Sequence, residues 1–426
     1  MTAPRVPIWS PTFITYGAYV FIIITYKLGV ASVVMGAGLL FLLLQREPLR
    51  VPHFLWLFLA WILWGAVGYF TTPYGDVVGP EIVQQAKLVL VALVAVNALR
   101  TPAQIRLFLM LVLVSYVLFP VRATLVNYFV HHYTQFGRAI GPFIYQNSND
   151  LAAITILMLA AALALWTSEP RRTPAWWLGL GCAVVFVLTI LLTQSRGAVL
   201  ALGAIGMPSA LALARRRPRL VPVFAALVGV ALYLAPAGLW ERMAGLGKAT
   251  SVATIGEMDP EGSARDRWAV IQTASRIIAD HPLTGVGLGA YRFANFDYNP
   301  MLGRLDTHNT YLNVAAETGI PGLAIFLTLV CSVVRGARRV RWTRPRGSPG
   351  VQDQGETLHW LYLGLVAFLI AAVFGSFAKL ALVYVYLSLL WCAAQAVRAP
   401  DAAAAMLLPD AAARGPDPRR TPVAAM

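Results

Sequence analysis

The sequence predicts an all-α polytopic membrane protein, and three observations lead to that fold class. Hydrophobic residues make up 58% of the 426-residue chain and charged residues only 12%, with a mean hydropathy of +0.66. Ordinary soluble domains carry about 25% charged residues, so a soluble enzyme, a disordered protein and a coiled coil are excluded. Apolar runs of about 20 residues, the length of a membrane-spanning helix, recur along the chain. A chain of this length accommodates about 12 such transmembrane helices.

Apolar runs bounded by charged or turn residues mark the individual spans. The first two are short and nearly continuous, so they form either a tight hairpin or one broken helix. The fifth contains Pro120, which kinks a helix. The predicted spans are 12–28, 30–45, 53–71, 81–98, 104–127, 149–167, 175–194, 197–214, 219–237, 310–334, 357–375 and 379–397.

The orientation follows from the arginine-rich loops, which alternate along the chain and are richest between Arg335 and Arg346. Such loops face the cytoplasm, and an even number of spans places both termini there. The single long loop falls on the opposite side and is nearly neutral. The chain thus divides into helices 1–9 (1–237), an outer loop with amphipathic helices (238–309), helices 10–12 (310–398) and a disordered cytoplasmic tail (399–426).

The net charge of +15 would suggest nucleic-acid binding in a soluble protein. In a membrane protein, basic cytoplasmic loops account for it, so no nucleic-acid partner is expected. The three cysteines lie in apolar stretches, and the outer loops offer no convincing set of metal ligands. We therefore expect neither a metal nor another cofactor.

A group of basic residues maps to the outer ends of the spans, where Lys and Arg are normally scarce. Each could snorkel to lipid headgroups. Six together, with few acidic partners, favour an outward-facing anion site instead. Arginine suits a phosphate because its guanidinium can bind in a bidentate manner. The six are Lys27, Lys87, Arg122, Arg138, Arg196 and Lys379.

Arg196 is the strongest single candidate in this group. It stands in the turn Thr193-Gln-Ser-Arg-Gly197 between two apolar spans. The next helix begins directly, so its N–H groups and dipole add to the attraction for an anion. A plain turn between helices is the alternative.

The long outer loop contains an amphipathic helix that starts near Ser263 and ends at Pro282. We place Trp268, Ile271, Ser275 and Ile278 on its apolar stripe, with Ala274 and Ile277 beside them. Arg265 falls in the first turn, where a cation opposes the helix dipole. Either the neighbouring Asp266 or a bound phosphate must stabilise it there.

His308 stands where the chain re-enters the membrane, in Thr307-His-Asn-Thr-Tyr311. An imidazole with a pKa near neutrality suits proton transfer, although a helix-capping role is also possible. Glu317 lies nine residues further and falls on the opposite face of a straight helix. We therefore interpret Glu317 as bracing the break at Gly319 or another helix, not as the partner of His308. Gly285-Val-Gly-Leu-Gly289 lacks the strand and helix of a nucleotide-binding motif and predicts a flexible turn.

The chain resembles the O-antigen ligase family, the lipid A-core:O-antigen ligases of Gram-negative bacteria. The resemblance covers most of the chain and is densest over 190–322. The residues that carry it are Thr193–Gly197, Ser263–Asp266, His281–Gly289, Thr307–Tyr311 and Glu317–Gly322.

The resemblance implies a metal-independent, inverting, membrane-embedded glycosyltransferase of the GT-C type. Such an enzyme transfers O-antigen from undecaprenyl pyrophosphate to lipid A-core at the periplasmic face of the bacterial inner membrane. Arg196, Arg265 and His308 match the family's essential positions. We further expect Lys87, Arg122, Arg138, Asn309 and Tyr311 to contact the pyrophosphate or the glycan, and the protein to be a monomer.

Two other classes stay open at this point. An O-antigen polymerase or a protein O-oligosaccharyltransferase shares these motifs and differs in its acceptor. A lipid-linked saccharide transporter would need charged residues throughout the membrane depth, whereas here they gather at one face.

Overall fold

The computed structural model of the chain describes residues 7–26, 29–216, 221–222, 225, 229, 233, 235–245, 263–342 and 351–406. Within this part the regular structure is helical, and no strand occurs. The α-helices described, numbered α1 to α15 in chain order, are Pro11–Thr25, Ala31–Leu44, His53–Tyr69, Gly75–Ala98, Pro102–Tyr116, Arg122–Phe129, Ser148–Ser168, Pro174–Leu192, Arg196–Arg216, Ala237–Gly245, Ser263–Asp280, Tyr291–Tyr298, Thr310–Trp342, Val351–Ala371 and Ala381–Met406.

The helical, polytopic architecture predicted from composition is confirmed. Seven described segments are long and apolar enough to cross a membrane, and four shorter apolar helices accompany them. Each predicted span coincides with one of these, except the ninth. That span, 219–237, lies largely outside the described residues, as do Lys27 and the tail after Met406.

The first two predicted spans form a hairpin rather than one broken helix. The αL conformation of Tyr26 (φ 50°) ends α1, and α2 packs back against it. The fifth predicted span is one segment with a local break, because α5 passes through a π-turn at Val117–Val121 before α6 begins. Pro120 lies in that turn, where its missing N–H costs no regular helical hydrogen bond.

Helix α7 is the centre of the bundle and packs closely against α8 and α14. Small residues permit this approach. A Cβ on Gly179 of α8 would lie 2.6 Å from Trp166 N, and one on Gly364 of α14 would lie 2.2 Å from Ala160 Cβ. Close helix packing at small residues is the usual way of holding membrane helices together, because lipid provides no hydrophobic drive between them.

The long loop adds α11 and α12, which pack on the beginning of α13. Helix α11 is amphipathic as predicted, but its buried stripe consists of Val270, Thr273, Ala274 and Ile277. Ser275 was predicted in the stripe and is instead exposed, with its hydroxyl donating to Ile271 O within the helix. The apolar face is thus rotated from the predicted one, toward the Ala274 and Ile277 side.

Candidate functional site

The glycine-rich turn between α11 and α12 fills a break in α13. The break is at Gly319 (φ 70°), where a Cβ would meet Leu283 O at 2.0 Å. The N–H of Val286 donates to Ala316 O at 2.9 Å, and Ile320 N–H donates to Pro282 O at 2.8 Å. The predicted turn is therefore present, but it is buried and hydrogen-bonded rather than flexible.

Glu317 and Lys379 form an ion pair beside this break. Lys379 Nζ donates to both carboxylate oxygens of Glu317, at 2.7 and 3.0 Å, and the Glu317 side chain is only 2% exposed. Lys379 lies in the loop between α14 and α15. Glu317 therefore joins its helix to another segment, one of the two roles expected for it, and Lys379 has a carboxylate partner within the protein.

Asp306 connects three segments around His308. Its Oδ1 accepts hydrogen bonds from Thr307 N–H at 2.7 Å, Ser376 Oγ at 3.0 Å and Asn313 Nδ2 at 3.3 Å. Ser376 belongs to the loop that carries Lys379. The carboxylate thus holds the His308 segment against α13 and against the loop before the last helix.

His308 is half-buried and adopts a left-handed backbone conformation, with φ 48°. Such a conformation is costly for a non-glycine residue and persists where the surroundings fix it. Thr310 fixes the backbone after His308, because its hydroxyl donates to Gly375 O at 2.7 Å and accepts from Phe377 N–H at 2.9 Å. Thr307 fixes the backbone before His308 through a hydrogen bond of 2.9 Å between its hydroxyl and Ser376 Oγ.

The surroundings of His308 favour the neutral form of its imidazole. Burial lowers the pKa of His308, and the cations Arg267 and Arg292 lower it further, while Asp306 acts in the opposite direction. The net shift is downward from the ordinary value of 6.5. A neutral imidazole near neutral pH can accept a proton, as a general base must.

Arg138 and Arg196 lie at the turn that begins α9. Arg138 is buried, and its guanidinium donates to Thr193 O at 2.9 Å and to Asn149 Oδ1 at 2.8 Å. Ser195 donates to the same amide oxygen at 2.9 Å, and half-buried Arg196 follows it as the first residue of α9. Arg138 therefore supports the turn that presents Arg196.

The turn lies close to the His308 side of the bundle. A Cβ on Gly197 would meet the ring of Phe374 at 2.6 Å, so only glycine allows α9 to begin here. Phe374 stands two residues before Ser376, the partner of Asp306. The residue that follows Arg196 therefore packs directly next to the loop that contacts Asp306.

Two arginines of α11 have different surroundings. Arg265, the residue predicted from the sequence, is exposed, whereas Arg267 is half-buried and interacts electrostatically with His308 and Asp150. Residues two positions apart differ by about 200° around a helix, so they cannot face the same neighbour. The structure brings Arg267, not Arg265, to His308.

The remaining predicted residues lie elsewhere or have internal partners. Lys87 and Arg122 are exposed on α4 and at the start of α6, and no contact described for His308 or Asp306 involves them. Asn309 caps α13 by accepting from Tyr311 N–H at 3.0 Å. The Tyr311 hydroxyl donates to Leu369 O at 2.7 Å.

Sequence reasoning missed Asp306, Arg267, Arg292 and Asp150. Asp306 had a local signal, because a carboxylate two residues before a candidate base is a natural neighbour of it. Asp150 interacts with Asp306 and Arg267 from the beginning of α7, a contact that only the packing reveals. Among the described residues, no group of three His, Cys, Asp or Glu side chains is arranged to hold a metal ion.

The candidate site lies within a region of the chain that matches a known protein family. Residues 181–327 match the protein family described as O-antigen ligase, from within α8 to the second half of α13. The matched range contains Arg196, Arg267, Arg292, Asp306 and His308. No curated protein matches the chain. The part of the chain that contains the candidate site is therefore similar to the O-antigen ligase family.

Proposed function

We propose that the protein is an O-antigen ligase, a GT-C-type glycosyltransferase that transfers O-antigen polysaccharide from undecaprenyl pyrophosphate to lipid A-core. The observation that carries the proposal is that His308, whose pKa is lowered by burial and by the cations Arg267 and Arg292, lies beside Asp306 within the O-antigen ligase domain. This arrangement combines a proton acceptor with cations beside it, and glycosyl transfer from a pyrophosphate requires both.

His308 acts on the acceptor in the proposed reaction. Its imidazole takes the proton of a sugar hydroxyl on lipid A-core as the hydroxyl oxygen attacks the anomeric carbon of the donor. The bond from that carbon to the pyrophosphate oxygen breaks on the opposite side, so the anomeric configuration inverts. The bond electrons leave with undecaprenyl pyrophosphate, which is the second product.

The arginines act on the leaving group. Negative charge grows on the pyrophosphate oxygen as the bond breaks, and cations placed beside that oxygen stabilise the charge. Arg267 and Arg292 supply positive charge next to His308. Arg196 is the first residue of α9, so the N–H groups and dipole at that end of the helix add to its own charge. Such a set of cations makes a divalent metal unnecessary for this step.

The other predicted residues take more distant roles in the proposal. Arg265, Lys87 and Arg122 are exposed and can meet the donor away from the reacting bond. Arg138 acts by supporting the Arg196 turn. We place the protein as a monomer in the bacterial inner membrane, with both termini cytoplasmic and His308 facing the periplasm, in agreement with the distribution of arginines over its loops.

A deletion strain tests the proposed function. Loss of a ligase leaves lipopolysaccharide without polymer while long polymer accumulates on the lipid carrier. Loss of a polymerase leaves single repeat units on lipopolysaccharide, and loss of a protein O-oligosaccharyltransferase leaves lipopolysaccharide unchanged and proteins unglycosylated. Either of the last two results would overturn the proposal. Complementation by the unaltered chain, but not by the His308→Ala variant, ties the phenotype to this site.

A further inference from the structure

A cavity lies at the opposite end of the bundle from His308. Its volume is about 370 Å³, and it lies between the first turns of α5 and α14, the last turn of α7 and the middle of α15. Asn149 marks the His308 end of α7, and Ser168 at the other end lines the cavity. About 29 Å of helix separates these two residues at a rise of 1.5 Å per residue. The cavity is therefore separate from the proposed glycosyl-transfer site.

The polar part of this cavity contains an ion pair and an unsatisfied acceptor. Arg106 Nη2 donates to Glu169 Oε2 at 2.8 Å, with the Arg106 side chain 50% exposed and that of Glu169 only 8% exposed. Gln354 Oε1 is buried, and no donor among the described residues reaches it. A buried acceptor without a donor costs free energy, so a ligand that carries a donor is favoured here.

The apolar part of the cavity lies deeper in the bundle. Leu109 is two turns further into the membrane along α5 than Pro102, and Leu165 precedes Glu169 by one turn of α7. Ala393 of α15 completes this wall. The lining therefore changes from charged at the membrane surface to apolar in the interior, which matches the order of headgroup and acyl chain in a lipid.

We propose that this cavity binds a phospholipid with a primary ammonium headgroup, from the leaflet opposite His308. The ammonium has three N–H donors and can serve both Gln354 Oε1 and the carboxylate of Glu169. The lipid phosphate meets the exposed Arg106, and one acyl chain lies against Leu109 and Leu165. A phosphatidylglycerol headgroup has no cation for Glu169, and a phosphatidylcholine headgroup has no N–H for Gln354.

Native mass spectrometry of the full chain in detergent tests this proposal. The protein is titrated separately with dioleoyl phosphatidylethanolamine, phosphatidylglycerol and phosphatidylcholine, and the dissociation constant of the tightest bound lipid is measured. We expect phosphatidylethanolamine to bind best. Gln354→Leu should weaken its binding about tenfold, since a hydrogen bond to a charged group is lost, and should leave phosphatidylcholine binding unchanged. Gln84→Leu, the same change on the exposed face of α4, should alter the binding of neither phosphatidylethanolamine nor phosphatidylcholine.

A second pair of variants tests the location. Ala396→Trp and Ala103→Trp each fill the cavity from a different helix, and either should remove the tight phosphatidylethanolamine site. The thermal midpoint of unfolding shows whether either variant is misfolded. If one is, the lipid-binding test relies on the other variant. Equal binding of the three lipids to the unaltered protein would overturn the proposal. Tight binding that survives a folded cavity-filling variant, or Gln354→Leu, would overturn it as well.

Discussion

The carboxylate of Asp306 accepts a hydrogen bond of 3.0 Å from the hydroxyl of Ser376. This contact joins the segment that carries His308 to the loop between α14 and α15. Asp306 also interacts electrostatically with His308, and it raises the pKa of the imidazole against the effects of burial and of Arg267. The same residue therefore positions the proposed base and tunes its proton affinity.

Replacing Asp306 should separate these two effects. Asp306→Asn removes the negative charge, so the pKa of His308 falls further and the acidic limb of the pH–rate profile moves to lower pH. The rate at its maximum should fall about 10- to 100-fold, as expected when a hydrogen bond to a charged group is lost. The measurement is transfer from a lipid-linked donor in nanodiscs across pH 5–9.

Ser376→Ala is the matched control, because it removes the hydrogen bond and leaves the charge. We expect a lower rate with an unmoved acidic limb. An acidic limb that moves to higher pH in Asp306→Asn would show that Asp306 does not act on His308 as described.

Arg267 and Arg265 offer a direct comparison within one helix. Arg267 lowers the pKa of His308, so Arg267→Ala should move the acidic limb to higher pH, opposite to Asp306→Asn. It should also weaken donor binding and slow transfer about 10²–10³-fold, the usual cost of one lost transition-state donor. Arg265→Ala, on the exposed side, should change transfer much less. If the Arg265 variant is the more severe one, the residue predicted from the sequence is the correct one.

The pair of Glu317 and Lys379 should matter for stability. Lys379→Met leaves the buried Glu317 carboxylate without its cation and should destabilise the protein by about 3–5 kcal/mol. Adding Glu317→Gln should recover much of the loss, since the uncompensated charge disappears. Thermal midpoints of the two single variants and the double variant in one detergent form the required cycle. Additive losses would mean that the pair contributes no coupling.

Helix positions were predictable because a run of about 20 apolar residues is a local property of the sequence. The partners of the charged residues could not be predicted from the sequence. Lys379 was assigned to an anion site, yet its partner Glu317 is 62 residues away and meets it only through the packing of α13 against the loop before α15. Likewise, the beginning of α11 contains both Arg265 and Arg267, and only the docking of that helix decides which of the two faces His308.

The position of His308 was predictable from a different signal. A histidine at the point where a long outer loop re-enters the membrane has few structural explanations, whereas its left-handed backbone has no signature in the sequence. That conformation depends on Thr307, Thr310 and the 375–379 segment together. Sequence reasoning therefore identified the proposed base but not the loop that holds it.

Chelation should leave the reaction unaffected. In the proposed mechanism Arg267 and Arg292 stabilise the leaving group, a task for which other glycosyltransferases can use a metal ion. We expect the same transfer rate in excess chelator as in magnesium or manganese. A loss of turnover in chelator that either ion restores would contradict the proposed role of the arginines.

Substitution of His308 gives the sharpest test of the mechanism. In His308→Ala the cations that attract the pyrophosphate remain, so the donor lipid should still bind. Transfer should fall about 10²–10⁴-fold, the typical contribution of a general base. Donor affinity and transfer rate are measured on the same nanodisc preparation, with Arg267→Ala as the variant in which both should fall, because its charge acts on the ground state and the transition state alike. Donor binding that disappears in His308→Ala would make His308 a phosphate ligand, and nearly unchanged transfer would reduce it to a structural residue at the start of α13.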